Sequence, residues 1–516
     1  MHPSVHARTN PGKPAIIMAA SGETITYGEL DKRSNQVAQL IRSRGIAIGE
    51  TIAICMENHP WYFGVAWGAQ RAGVHYVCIS SRLTAPEIAY ILEDSGAKLL
   101  LGSAYLAATL DEVATLSPNV AQLRFDTPGA LSAEAAIAEQ PDTPIADERA
   151  GVDMLYSSGT TGKPKGVKIP LPVDPDIAQM NALVGLANQA FGIQGDAVYL
   201  SPAPLYHAAP LRWCMSVHKL GGTVVVMEKF DPEHALQLIE THKVTDSQWV
   251  PTHFVRMLKL DEAVRTKYDV SSLKCAIHAA APCPVPVKHA MIEWWGPVLY
   301  EYYAGTEGNG FTFITSPEWL QRPGSVGRAL TGTVRVCDEN GDEVPRGTEG
   351  QIFFEPAEDT VPFEYHNDPA KTAESRNKHG WSSLGDVGIE DEYGYVFLTD
   401  RKSFMIISGG VNIYPQEIEN LLVLHPKVAD AAVIGAPDPD FGERVVAVVQ
   451  PADMADAGPA LADELTAYLR PQLSGVKMPR QIDFREALPR EQTGKLYKRL
   501  LRDEYKAAYE AAQAQG

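Results

Sequence analysis

Cysteine is scarce and scattered in this chain of 516 residues: Cys55, Cys78, Cys214, Cys275, Cys283 and Cys337 form no C-x-x-C pair and no zinc-like spacing with histidine. That argues against a disulfide scaffold or a cysteine-ligated metal, and predicts buried thiols in a reducing compartment. No uninterrupted apolar run is long enough to span a bilayer, so no transmembrane segment is expected. The stretch from Met1 to Lys13 lacks the apolar core of a secretion signal, and a cytoplasmic location is expected. Positive charge is in deficit: 45 Lys and Arg against 64 Asp and Glu leave a net charge of −19. Such a field works against nucleic acid and anionic lipid, so neither is an expected partner. Any anionic substrate must be gripped by local positive groups. Internal repeats are absent, and only the Ala- and Gln-rich tail after Tyr505 is low in complexity. Composition leaves homo-oligomerisation open.

A chain of this length exceeds one ordinary core, and roughly two to four domains or subdomains are expected. Thr26-Tyr27-Gly28-Glu29 has the form of a capping box, and Leu30, Val37, Leu40 and Ile41 continue at near-helical spacing, predicting a helix over 27–44. Residues 51–55 and 76–79 read as short buried strands with a helical segment around 61–71 between them. The alternation suggests βαβ units and a mainly parallel sheet. It recurs in the strand 223–227, the helix opened by Asp231-Pro232-Glu233, and the strand 248–250. Around 332–356, two β-rich runs flank the turn-rich Asp338-Glu339-Asn340-Gly341-Asp342, predicting a small β subdomain. Beyond residue 400, a helix opening at Pro415, strands near 431–434 and 444–449 and a helix near 461–469 make a unit large enough to fold alone. The expected fold class is therefore α/β. A large multi-lobed N-terminal domain over 1–400 carries mainly parallel sheets and the small β subdomain; a hinge follows at 401–404, then a small mobile α+β domain over 405–516.

The densest chemical signal is Tyr156-Ser157-Ser158-Gly159-Thr160-Thr161-Gly162-Lys163-Pro164-Lys165-Gly166-Val167. Glycine frees the backbone to turn its N–H groups inward, while hydroxyls and ammonium groups add donors for phosphate oxygens. A Walker loop it is not. Gly159 and Gly162 are too close together, and Pro164 stands where the Mg²⁺-binding hydroxyl belongs and opposes a helix there. A solvent-facing Gly/Ser/Thr turn is the bland alternative.

This segment closely resembles the signature loop of the adenylate-forming superfamily, which comprises acyl-CoA synthetases, peptide-synthetase adenylation domains and beetle luciferases. The resemblance extends over five further motifs in order. Pro204-Leu205-Tyr206-His207-Ala208-Ala209-Pro210 is similar to the motif whose aromatic or histidine residue lines the acyl pocket. Amino-acid-activating relatives carry an Asp beside that aromatic; His207 replaces it here, so a plain carboxylic acid is expected. Tyr302-Tyr303-Ala304-Gly305-Thr306-Glu307 resembles the Y-G-x-T-E segment, with Ala304 departing from the usual Gly. There a Tyr stacks on adenine, the Thr touches the α-phosphate and the Glu helps hold Mg²⁺. Upstream, Ala279, Ala280, Ala281 and Pro282 occupy the adenine-side segment. Trp381-Ser382-Ser383-Leu384-Gly385-Asp386 resembles the ribose-binding motif, with Leu384 where Thr is usual. Asp400-Arg401-Lys402-Ser403 resembles the hinge motif, with Ser403 in the place of an Asp or Lys. Pro489 to Lys495 resembles the last core motif, whose lysine reaches the reacting carboxylate and α-phosphate.

The resemblance implies an AMP-forming acid–CoA ligase using ATP, Mg²⁺ and CoA. Its nucleotide-binding residues would be Ser157, Ser158, Gly159, Thr160, Thr161, Gly162, Lys163 and Lys165 in the loop, with Ala280, Ala281, Pro282, Tyr302, Tyr303, Ala304, Gly305, Thr306, Asp386, Arg401 and Lys495. Catalysis would fall to Lys495, Thr306, Glu307 and His207, with Glu307 the metal ligand. His207, Ala208, Ala279 and Gly305 would line the acyl pocket. Ser408, Gly409 and Gly410 match the residues beside which pantetheine passes, and Ser403 the pivot of domain alternation. Small residues at so many lining positions suggest a roomy apolar pocket for a medium or long acyl chain or a bulky ring acid, unless Trp213 or Trp249 fills the space. The alternative acceptor is a carrier protein or another nucleophile in place of CoA.

Overall fold

The computed structural model describes residues 1–157, 164–357, 363–401, 404–490 and 496–513. Thr26 caps the helix Tyr27–Ser43, its hydroxyl accepting from the Glu29 N–H at 3.2 Å. Asp231 does the same for Pro232–His242, accepting from His234 N–H at 2.9 Å. Each such cap contributes on the order of 1 kcal/mol. The β-branched run Thr223–Val226 is buried throughout, as a strand covered on both faces must be.

Three sheets result. One has seven strands, and its parallel centre holds Val152–Ser157, His75–Cys78, Thr51–Cys55, Ala97–Ser103 and Ala121–Phe125 in that spatial order. The second has thirteen strands and is parallel from Leu299–Ala304 through Cys275–His278, Asp246–Trp249, Val198–Ser201 and Thr223–Val226 to Pro14–Met18. The third, of five strands, lies wholly within residues 406–484. The β-rich region expected as a small β subdomain, with Thr333–Cys337 paired against Gly350–Glu355, lies at one end of the thirteen-stranded sheet. Strand Ser325–Thr331 joins the two halves, pairing with Phe311–Thr315 on one side and Val396–Arg401 on the other.

Five of the six cysteines are buried; Cys283 is partly exposed, which corrects the expectation of six buried thiols. No helix among the described residues is long and apolar enough to cross a membrane.

Candidate active site

A single cleft of about 2290 Å³ collects most of the expected site residues. Its walls include Lys165, His207, Ala208, Ala279, Ala280, Ala281 and Pro282, the run Tyr302 to Glu307, and Asp386. Residues from beyond position 404 line it too, among them Gln416, Glu419, Asp430, Arg490, Leu496 and Lys498.

The strand Val152–Ser157 enters the phosphate-cradle segment, and Lys165–Lys168 leaves it as its antiparallel partner, with Ser157 opposite Lys165. The described flanks of the segment are thus paired strands, and a strand, not a helix, follows it, in keeping with its failure as a Walker loop. Ser158, Gly159, Thr160, Thr161, Gly162 and Lys163 lie outside the described residues, as do Ser403 and Lys495. From the loop's exit a polar chain runs inward: Lys165 Nζ sits 5.5 Å from the Tyr365 ring centre, and the Tyr365 hydroxyl donates to Glu307 Oε1 at 2.9 Å. At the entry, Tyr156 donates to Asp94 Oδ2 at 2.6 Å.

Strand geometry separates the two adjacent tyrosines, because successive side chains point to opposite faces. Tyr303 donates to Asp386 Oδ2 at 2.6 Å. Tyr302 is buried on the other face, stacked on Phe311 at 4.8 Å, its oxygen accepting from Trp213 Nε1 at 3.3 Å and Gln248 Nε2 at 3.2 Å. Tyr303 is therefore the tyrosine that reaches Asp386, and Tyr302 belongs to the wall shared with Trp213. Asp386 pairs through its backbone with Arg401 on the neighbouring strand. Ala280 stands in the left-handed region at φ 77°, a conformation that costs a residue with a Cβ about 1–2 kcal/mol. Below that segment, wholly buried, Lys288 Nζ meets Glu301 Oε2 at 2.5 Å and His278 lies 3.6 Å from the same oxygen. Burial drives the His278 imidazole well below its ordinary range, with Lys288 adding to the effect.

Gly305 is a position of close approach. A Cβ there would lie 2.5 Å from Leu384 Cδ2 and 2.8 Å from Glu307 Oε2. The Leu384 side chain and the Glu307 carboxylate fill the space beside Gly305, so packing alone requires glycine there. Glu307 supplies a hard oxygen donor at this place, and no group of three or more His, Cys, Asp or Glu gathers to cage an ion among the described residues. A lone carboxylate fits Mg²⁺ held chiefly through substrate phosphates. The Asp386 carboxylate, 7% exposed, offers acceptors only, which fits ribose hydroxyls.

His207 occupies the N-cap position of the helix Ala208–Leu220, its ring 4.4 Å from that of Tyr206. Five residues further along, Arg212 clamps Asp153 with Nε at 3.1 Å and Nη2 at 2.8 Å, and its Nη1 donates to the Thr306 carbonyl at 3.3 Å. Burial opposes the Arg212 charge, but Asp153 outweighs it and the guanidinium is held above its ordinary range. Sequence reasoning missed this residue. A charge inside the apolar run Ala208 to Leu220 was the available signal.

Ser408, Gly409 and Gly410 are not part of the cleft wall. They turn the hairpin between Ile406–Ser408 and Val411–Ile413, with φ of 58° at Gly409 and 81° at Gly410. Two successive positive values are what a two-residue type I′ connection demands. The ends of the segment carrying Lys495 do face the cleft: Arg490 pairs with Leu496, and Arg490 Nη2 donates to Asp430 Oδ1 at 2.8 Å. Beside them Lys498 and Glu419 form a buried ion pair at 2.8 Å. Lys259 also donates to the Val428 carbonyl, and Tyr414 to Glu349 Oε1 at 2.7 Å, so the C-terminal unit is latched against the larger one.

Comparison with known proteins agrees with this geometry. The model of the AMP-binding enzyme family matches residues 4–357, and that of the AMP-binding enzyme C-terminal domain matches 417–495. A fatty acid–[acyl-carrier-protein] ligase of Streptomyces coeruleorubidus is 32% identical over 97% of this chain and 95% of its own length. A feruloyl-CoA synthase of an Amycolatopsis species is 34% identical over 96% of each. Among solved structures, ATP-bound MatB from Rhodopseudomonas palustris superposes with a TM-score of 0.81 at 30% identity, covering 99% of this chain and 100% of that one.

Proposed function

This chain belongs to the AMP-binding enzyme family, the adenylate-forming acyl-CoA synthetases, and from that premise we propose how its own residues carry an AMP-forming acid–CoA ligase reaction. The observation that carries the reading is the convergence of Glu307, Asp386, His207 and the ends of the Lys495 segment on one cleft.

In the first half-reaction the acid's carboxylate oxygen attacks the α-phosphorus of ATP. The bond to the bridging oxygen breaks, and pyrophosphate leaves with that electron pair. Asp386, oriented by Tyr303, takes the ribose; Ala280 to Pro282 flank the base; Thr306, its carbonyl held by Arg212, takes the α-phosphate. Glu307 would hold Mg²⁺, which would supply positive charge against the departing phosphates. Lys495 is assigned the charge that builds between carboxylate and α-phosphate. In the second half-reaction the CoA sulfur, its proton lost, attacks the acyl carbon and AMP departs. A swing of the C-terminal unit about residues 401–404 would exchange the Lys495 segment for the Gly409-Gly410 turn, which stands off the cleft in this arrangement.

Ala203, Ala208, Ala209 and Ala279 line the cleft beside His207, and Trp213 and Trp249 line it too, each fixed by aromatic neighbours, Phe191 and Tyr302 for the first and Phe254 and Trp295 for the second. A medium or long acyl chain, or a bulky ring acid, suits that space. Each buried methylene contributes about 0.8 kcal/mol, which acetate forgoes. The cytoplasm, reducing and supplied with ATP and CoA, is the proposed setting, and a net charge of −19 favours no nucleic-acid partner.

CoA-dependent AMP release from a panel of acids graded in length and bulk tests the reading. Octanoate-sized and aromatic acids should outperform acetate and propionate. AMP release that needs a carrier protein and ignores CoA would move the acceptor to the alternative.

A further inference from the structure

The helix Ala208–Leu220 runs from His207, at the reacting end, to Lys219, whose position along the axis is about 18 Å away at 1.5 Å per residue. Lys219 is 9% exposed and lines the same cleft. Its ammonium carries three donors, and among the described residues one reaches an acceptor, the Gln179 carbonyl at 2.8 Å. The carboxylate of Asp176 is the anion whose field it feels, but that group is exposed and receives the Ala178 N–H at 2.8 Å.

A second, independent observation comes from the helix Tyr62–Arg71 packed alongside. Gln70 is 6% exposed, lines the cleft, and has its Oε1 buried without a hydrogen-bond partner. Three residues before it, Trp67 donates to His218 Nδ1 at 3.3 Å, which fixes the two helices together at the level of Lys219. Ser216, one turn back from Lys219, lines the cleft as well, its hydroxyl bonded to the Arg212 carbonyl at 2.8 Å. Buried polar groups in folded proteins are nearly always satisfied, so an unpaired amide oxygen and an under-used ammonium in a cleft wall that also carries Trp67, Tyr76, Trp213 and Met215 call for a polar occupant.

We propose that Lys219 and Gln70 form a distal subsite for an oxygen function at the far end of the acid, so that the preferred substrates carry a ketone or a second carboxylate remote from the reacting carboxyl. The inference rests on the acid–CoA ligase reading. A plain hydrocarbon tail would leave the Gln70 oxygen unpaired and the Lys219 ammonium with the Gln179 carbonyl as its one partner among the described residues. A remote oxygen accepts from the ammonium, and the Gln70 amide offers both a donor and an acceptor to it or to a water beside it.

The test compares three acids of equal length: dodecanoate, its methyl ketone analogue oxidised one carbon from the end, and dodecanedioate, each assayed for CoA-dependent AMP release. The oxygenated acids should exceed dodecanoate in kcat/KM by about tenfold or more, chiefly through KM; which of the two is better separates ketone from carboxylate recognition. Lys219→Met should erase the preference while leaving dodecanoate turnover within about twofold, and Gln70→Leu serves the same purpose should Lys219→Met fail to fold. Dodecanoate turned over as well as or better than both analogues, or a preference unchanged in the variants, overturns the subsite and leaves the ligase reading standing. No AMP release with any acid overturns both.

Discussion

The Tyr303 hydroxyl donates to Asp386 at 2.6 Å across 83 residues of sequence, joining the strand before the Thr306-Glu307 pair to the proposed ribose carboxylate. A hydrogen bond to a charged acceptor contributes about 1.5–3 kcal/mol. Tyr303→Phe keeps the ring and removes only that bond. It should raise KM for ATP by about tenfold and leave the KM for the acid unchanged, measured by initial rates with either substrate varied.

Arg212 and Asp153 are the corresponding tie on the acyl side, and both are mostly shielded from solvent. Removing one partner strands the other. Arg212→Met should lower unfolding free energy by about 3 kcal/mol in urea titration, and adding Asp153→Asn should recover a good part of it, because the uncompensated charge causes most of the loss. Unequal recovery of activity is expected, since the donor to the Thr306 carbonyl stays missing in the double variant.

How far the sequence anticipated these ties follows from distance along the chain. The caps at Thr26 and Asp231 are decided within four residues, and both are where spacing placed them. Glu307, Asp386 and His207 were picked out by the order of the motifs and not by any one of them alone, and all three line the one cleft. Arg212 and Asp153, 59 residues apart, have no local signature that pairs them. Tyr302 and Tyr303 were grouped together although a strand's period of two divides them. Gly409-Gly410 was read for what it lets approach, whereas the hairpin by itself already demands glycine at both positions.

Gly305→Ala would press its Cβ on Leu384 and on Glu307. Leu384 is a flexible neighbour and Leu384→Ala would relieve that half of the conflict; the displaced Glu307 carboxylate would remain. The single variant should therefore need about tenfold more Mg²⁺ for half-maximal pyrophosphate release, and the added Leu384→Ala should restore only part of the difference.

Buried histidines set an acid limit to stability. Burial pushes His218 and His253 down to about 3, so in the folded chain they stay neutral while the unfolded chain takes protons near 6.5. Their contribution is complete above 6.5 and is lost as pH falls towards 3, at up to about 1.4 kcal/mol per pH unit for each. Asp246 works in the opposite sense, since burial raises it to about 6 and its protonated form is favoured between 6 and its ordinary 3.8. Two histidines outweigh one aspartate. The melting temperature should decline steadily below pH 6.5, and His253→Gln should flatten the decline.

In the proposed scheme Lys495 serves the first half-reaction and the Gly409-Gly410 turn the second. The ends of the lysine's segment line the cleft while the turn stands apart from it, so one arrangement of the C-terminal unit serves only one of the two. Lys495→Ala should abolish adenylate formation, read as pyrophosphate release, yet leave thioester formation from supplied acyl-adenylate and CoA largely intact. Gly410→Ala imposes a Cβ on a residue at φ 81° and should do the reverse, slowing thioester formation several-fold with pyrophosphate release preserved. Equal losses of both half-reactions in either variant would mean that a single arrangement performs both, and the proposed swing about residues 401–404 would have no work to do.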